Sequence, residues 1–266
     1  MEYNIDFTAN ELHDEFFWFI ETPGKCTLKT RHNKIIKYFQ QDILYKTEKQ
    51  LLNNPQILEK IINNRCKYLK KEPCELTIYD LIDGLKKSGI YYGYSMFNPL
   101  LAKWFFKQYG CTICYDPCGG WGHRILGATE LESYIYNDIS METIENIKRM
   151  CEYFDIYNVK TYNTNSIGFI PVEPYDSIFT CPPYYNIEIY DKKIDYETYV
   201  LLIDSIINAY LNKVNCKVCG IVIREDLLPP KYLKMISEEI PLNNSRCHLC
   251  GGGKHKYGEK LYIFKK

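Results

Sequence analysis

Three short segments carry residue types whose spacing suits chemistry on a bound small molecule. The most specific is Cys181-Pro182-Pro183-Tyr184, directly after the apolar run 177–180. Consecutive prolines stiffen a loop and leave two carbonyls with no competing N–H donors. Such a carbonyl suits hydrogen bonding to an NH2 group, and the Tyr184 ring offers a face for a planar base. The second segment is Asp116-Pro117-Cys118-Gly119-Gly120-Trp121-Gly122. Here a strand ends in an acid and a glycine-rich turn opens a helix. The glycines let backbone pass close to a ligand, and the helix start presents N–H groups to a carboxylate. No Gly-Lys-Ser/Thr follows, so this is not a Walker loop, and the Asp-Pro ahead of the turn separates it from the dinucleotide fingerprint. The third feature is Asp138, 22 residues beyond Asp116 at the end of the next apolar run. A carboxylate there can hold two ribose hydroxyls or simply cap the following helix. Asn165 and Ser166, after the third run, are candidates for contacting an adenine, although both are ordinary turn residues.

The elements that must position these segments alternate. Apolar runs at 111–115, 133–136, 159–162, 177–180 and 217–223 read as strands. Helical patterns at 99–109, from about 123, and at 141–154, 196–211 and 231–239 separate or follow them, and a pair of strands closes the chain near 261–264. Strands alternating with helices imply parallel βαβ units, hence a doubly wound α/β sheet with sites at the carboxyl ends of its strands. Residues 1–94 read as helical instead, with apolar periodicity at 11–20, 33–45, 57–69 and 76–85 and a capping box at Thr77 and Asp80. The expected division is a helical region, 1–94, and a catalytic domain, 95–266.

Formal net charge is zero over 266 residues, but its distribution is uneven. From Lys25 to Lys71 there are 12 Lys/Arg against three acids, and from Arg246 to Lys266 six against one. Two basic segments flanking an acidic middle fit a phosphate-facing surface, or else the solvated faces of surface helices. Arg31, Lys34, Lys37, Arg65 and Lys67 are the candidate phosphate contacts. No apolar run approaches a membrane span. Twelve cysteines without a secretion signal suit a reducing compartment, so a cytoplasmic protein is expected, or one of a host's cytoplasm or nucleus if it is viral. Cys111/Cys114 and Cys216/Cys219 sit in or beside strands, where cysteine packs as a small apolar residue. Cys247, Cys250 and His255 have the best metal-ligand spacing, and no metal is expected overall.

The ordered set of Asp-Pro-x-x-Gly-x-Gly, Asp138 and x-Pro-Pro-Tyr resembles the amino-methyltransferases of DNA, which use S-adenosylmethionine (SAM) to methylate adenine N6 or cytosine N4. Phe97-Asn98-Pro99 is similar to the segment of that family that leads a helix and closes over SAM. The stretch 179–190 with 120–124 resembles compact members from phages and large DNA viruses. The resemblance covers roughly residues 94–264. It implies a Rossmann-like class I methyltransferase sheet. Phe97, Asn98, Pro99, Asp116, Pro117, Gly119, Gly120, Gly122, Asp138, Asn165 and Ser166 would lie around SAM. Cys181, Pro182, Pro183 and Tyr184 would be the catalytic loop. The implied partner is double-stranded DNA with the target base flipped onto Tyr184. One departure matters. The loop's first residue is usually Asp, Asn or Ser, whereas the sulfur of Cys181 is a weak acceptor. Cysteine is nearest in size to the serine variant, which is linked to cytosine N4, and the base stays open between N6 and N4. It is not the nucleophile of C5-cytosine enzymes, whose cysteine follows the proline. Two other readings stand beside this one: an amino-methyltransferase of RNA or of a protein glutamine, and a non-catalytic SAM- or nucleic-acid-binding protein.

Overall fold

The structure is a computed structural model and describes residues 7–30, 32–90, 96–185, 194–242 and 258–266. Its first part is helical, as expected. Helix α1 (Ala9–Glu21) starts at Thr8, whose hydroxyl and the Glu11 carboxylate form a reciprocal capping box. Three short helices follow, α2 (Lys34–Phe39), α3 (Gln41–Leu44) and α4 (Lys46–Leu52), then α5 (Pro55–Leu69) and α6 (Ile78–Lys87). The capping box at Thr77 and Asp80 is present. The single helix expected over 33–45 is interrupted at Gln40, because that side chain turns fully inward. It donates to the Trp121 carbonyl and accepts from Asn146, 3.1 Å away.

The remainder is a seven-stranded sheet with helices on both faces. Its elements in order are α7 (Pro99–Tyr109), β1 (Ile113–Asp116), α8 (His123–Gly127), β2 (Ser133–Asp138), α9 (Met141–Tyr153), β3 (Val159–Asn163), β4 (Ser177–Thr180), α10 (Tyr196–Asn212), β5 (Val218–Arg224), β6 (Glu238–Leu242) and β7 (Glu259–Lys265). The spatial order is β3-β2-β1-β4-β5-β7-β6, with β7 antiparallel to both neighbours and the other strands parallel to one another. This is the doubly wound, Rossmann-like α/β sheet that the alternating pattern implies. The order reverses between β1 and β4, and in open sheets ligands bind at that switch, beyond the carboxyl ends of the strands.

Alternation along each strand divides the core into two layers. Cys114, Tyr134, Tyr136 and Phe179 point toward α7 and α9. Tyr115, Ile135, Ile178 and Ile221 point toward α10. Helix starts are fixed by caps: Asn98 with Pro99 at the first turn of α7, Ser140 for α9 and Asp195 for α10. The helix expected over 231–239 is replaced. Pro230–Met235 is a 3₁₀ turn, and the chain then pairs as β6 with β7. Strand pairing and the bonds of Glu238 to Tyr109 and Lys265 override the local helical pattern. Pro241 is tolerated because β6 is an edge strand.

The expected boundary near residue 94 is not a boundary in packing. Leu12, Phe16, Ile35 and Phe39 from α1 and α2 share one apolar cluster with Leu101, Ile147, Met150 and Phe154 of α7, α9 and its end. Lys25 N–H also donates to the Leu100 carbonyl at 2.9 Å, and the Asn98 amide donates to the carbonyls of Thr27 and Lys29. Fragment 95–266 should therefore fail to fold alone: circular dichroism is expected to show no cooperative melt, against a single transition for the whole chain. A fragment melting like the whole chain would contradict the shared core.

Candidate active site

The glycine turn after β1 is held from beside and below. Gly119 N–H donates to the Asn137 carbonyl at 2.7 Å, and the Tyr136 hydroxyl donates to the Gly120 carbonyl. An added Cβ at Gly119 would enter the Tyr136 ring, so only glycine fits there. Gly120 has φ +61°, and a Cβ on it would meet nothing. Its outer side is thus backbone facing open space. Asp138 lies beside it. One carboxylate oxygen accepts from Gly120 N–H at 2.9 Å and the other from Ser140 N–H at 2.9 Å. Burial raises the Asp138 carboxyl above the ordinary aspartate range, and those two N–H groups offset only part of the rise.

Asp116, which the resemblance sets among the residues around SAM, is turned into the protein. Its side chain is fully buried, accepting from Arg124 Nε at 2.7 Å, the Tyr134 hydroxyl at 2.6 Å and Cys118 N–H at 3.3 Å. Arg124 also donates to the Cys118 carbonyl, and the Phe97 ring lies 5.1 Å from its guanidinium carbon. Asp116 therefore acts on the turn from beneath. The neighbouring His123 is buried too; burial and then the Arg124 charge push its pKa down to about 3, keeping it neutral.

Asn98, Pro99 and Ser166 likewise face inward. Asn98 is spent on its helix cap and on residues 27–29. The Ser166 hydroxyl donates to the Pro117 carbonyl and accepts from the Asn137 amide at 2.7 Å. Asn165 is exposed and closes its own turn through Ile167 N–H. Two connecting residues escaped sequence reasoning. Asn137 ties the ends of β1, β2 and β3 together through Pro117, Thr164 and Ser166. Arg124 neutralises Asp116. The signal for Arg124 was available: an acid at the end of a buried strand needs a cation nearby.

The loop Cys181-Pro182-Pro183-Tyr184 leaves β4 at the switch point, as its position after an apolar run requires. Pro182 is buried, while Cys181 and Pro183 are half-buried. Cys181 stands close enough to Arg124, Cys118 and Tyr199 to act on each electrostatically. Tyr184 does not offer an open stacking face in this conformation. Its ring is 4% exposed, and its hydroxyl donates to Glu259 at the start of β7 at 2.6 Å. The tyrosine anchors the loop to the far side of the sheet.

The basic helices also differ from the expected surface. Arg65 is 5% exposed and paired with Asp83 at 2.8 Å, so it is not a phosphate contact. Lys34 is paired with Glu11 at 2.8 Å. Lys67 is exposed. Lys37 lines an open cleft of about 300 Å³ with Lys86, Asn33 and Tyr79, and burial followed by Lys86 lowers its pKa. Arg31, Cys247, Cys250 and His255 lie outside the described residues. Cys111, half-buried, and Cys114, Cys216 and Cys219, buried, pack as apolar groups. No described helix is long and apolar enough to cross a membrane.

Neither a protein-family model nor a curated protein sequence matches the chain. Solved structures to which it is similar include TrmN from Thermus thermophilus, at 14% identity and a TM-score of 0.47 over 68% of this chain and 52% of that one. The chain thus spans about half the length of TrmN. Others are the rRNA methyltransferase aviRa from Streptomyces viridochromogenes, at 13% identity, TM-score 0.44, and 65% and 86% coverage, and a dimethyladenosine transferase from Plasmodium falciparum, at 14%, 0.41, and 58% and 55%.

Arg124→Met should leave Asp116 charged and buried without its cation, at a cost of about 3–5 kcal/mol in urea unfolding. An unchanged midpoint would show that the pair is not needed. His123 gives a pH signature. Its folded pKa lies below that of the unfolded chain, so between about 3 and about 6.5 the unfolded state binds the extra proton and stability falls as pH falls, by up to about 1.4 kcal/mol per pH unit. His123→Gln is expected to flatten that part of the stability–pH curve. An identical slope would contradict a buried neutral histidine.

Proposed function

We propose that this chain is a SAM-dependent methyltransferase acting on the exocyclic amine of a DNA base, adenine N6 or cytosine N4. The observation that carries the reading is the convergence of the Gly120 turn, Asp138 and the Pro182–Pro183 loop at the carboxyl ends of β1, β2 and β4, around the switch point. The groups present fit SAM. Gly120 presents backbone to open space, and Asp138 is a polar acceptor at the distance from the turn where a ribose sits in such folds. Ile139, 73% exposed directly after Asp138, offers an apolar surface to the adenine, and Asn165 an exposed polar neighbour. Asp116, Arg124, Asn98, Asn137 and Ser166 are positioning residues for that surface. When bound, SAM supplies a methyl group on a positively charged sulfur.

The chain's own contribution is orientation. The Pro182 carbonyl accepts an N–H of the target amine and holds its lone pair in line, so catalysis is mainly positioning. As the nitrogen gains positive charge, the carbonyl dipole offsets it. Cys181 adds a weak acceptor, and Tyr184, through Glu259, holds the loop in place. No covalent enzyme intermediate is required. Lys67, and Lys37 with Lys86 at the cleft, are the phosphate contacts of the DNA.

Incubation of the purified chain with tritium-labelled SAM and, separately, duplex DNA, RNA or protein is expected to label the DNA. Digestion to nucleosides and mass spectrometry should then yield N6-methyladenine or N4-methylcytosine. Label confined to RNA or protein would contradict the substrate. Cys181→Ser should retain activity; its complete loss would show that the sulfur, rather than the carbonyl, is the working acceptor.

A further inference from the structure

The cleft that Lys37 and Lys86 line offers more than positive charge. It is open, with a volume of about 300 Å³, at the small end of ligand sites. One face of α6 forms a wall, with Tyr79, Ile82, Asp83 and Lys86 at helical spacing. Tyr79, 51% exposed, stands two turns from Lys86, about 10 Å along the helix axis. Lys37 lines the cleft from α2, near enough to Lys86 that the two charges act on each other. The cleft thus has an aromatic end and a cationic end, set apart on the scale of one nucleotide.

The charge at the cationic end is not answered by the protein. Neither lysine forms an ion pair among the described residues. Asp83 is paired with Arg65 and Lys87, at 2.8 Å in each case. Glu15, which acts on Lys37 from α1, accepts from Ile35 N–H at 2.7 Å. Glu48, also on the wall, is only 2% exposed. Asn33 adds an amide to the wall; it makes no cap bond to α2, and its Oδ1 has no partner. Polar atoms of this kind are ordinarily satisfied, and an N–H of a base edge would satisfy this one. Two cations, an aromatic ring and an unmet amide are the groups that hold a phosphate, a base face and a base edge.

Two links fasten the cleft to the glycine turn and Arg124. Met96, on its wall, directly precedes Phe97, whose ring lies 5.1 Å from the Arg124 guanidinium carbon. One turn after Lys37, Gln40 donates to the Trp121 carbonyl of the glycine turn at 3.4 Å.

We propose that the cleft is a subsite for one unpaired nucleotide of the substrate DNA strand, its phosphate on Lys37 and Lys86 and its base on the Tyr79 ring. The identity of the strand rests on the DNA amino-methyltransferase reading. A paired base keeps its faces in the duplex stack, so the subsite favours single-stranded or locally opened DNA over an intact duplex.

The test uses the full chain and a short fluorescein-labelled DNA strand of mixed sequence, alone and annealed to its complement, with binding read by anisotropy. The single strand is expected to bind about tenfold more tightly than the duplex. Tyr79→Ala, at a half-exposed position, should keep the melting temperature and lower strand affinity by about tenfold, the worth of one stacked base. It should leave duplex affinity unchanged, and Tyr79→Phe, which keeps the ring, should bind like the parent. Lys37→Gln and Lys86→Gln should each reduce the salt slope of strand binding by about 0.7. Unchanged strand affinity in Tyr79→Ala overturns the subsite. Equal losses on strand and duplex overturn the need for an unpaired nucleotide. Tighter binding of an RNA strand of the same sequence, with the same dependence on Tyr79, overturns DNA as the occupant. Binding of free dAMP through Tyr79 when neither form of DNA binds assigns the cleft to a free nucleotide and overturns the proposal too. None of these readings requires methyl transfer, so failure of the proposed function shows separately, in the tritium assay.

Discussion

The carboxylate of Asp116, sunk at the end of β1, is the constraint on which the site depends. A buried charge is tolerated only when paired and fully hydrogen-bonded. Arg124, Tyr134 and Cys118 N–H together meet that requirement. In doing so they join β1, β2, the glycine turn and α8, and the Arg124 guanidinium carries the Phe97 ring above it. Each partner comes from a different element. The turn can therefore adopt one geometry, with Gly119 pressed on Tyr136 and Gly120 facing out. The same arrangement reaches the Cys181–Tyr184 loop, since Cys181 lies within the field of Arg124.

Much of this was legible in the sequence, and what was not has a common cause. Strands at 133–136, 177–180 and 217–223 stand close to their expected places because both of their faces are buried and the runs are largely apolar, and the edge strand at 159–162, only partly buried, is close to its place too. The capping box at Thr77 and the start of α7 at Pro99 were readable from local chemistry alone. The failures are places where a partner distant in sequence decides. Gln40 breaks a helix because Trp121 and Asn146 bind its amide. Residues 238–242 leave a helical pattern because β7 pairs with them. Arg65 is buried by Asp83, which no count of basic residues foresees. Asp116, Asn98 and Ser166 belong to the right segments, but which atom of a motif faces inward depends on the whole sheet.

The helical region shows the same dependence at a larger scale. Its basic composition suggests a free recognition module, yet α1 and α2 complete the apolar layer over α7 and α9. Part of its positive charge is neutralised within the region, by Glu11 and Asp83. The cations proposed for phosphate are Lys67 and the Lys37 and Lys86 of a cleft that Glu48 and Asp83 also line.

The function of the site turns on whether the surface of Gly120 and Asp138 takes a nucleoside cofactor. Isothermal titration of the whole chain with SAM measures this with no assumption about the methyl acceptor. One saturable site per chain is predicted, with binding strongly weakened by Asp138→Ala while the melting transition stays cooperative. Absence of binding, or equal affinity in Asp138→Ala, would contradict it.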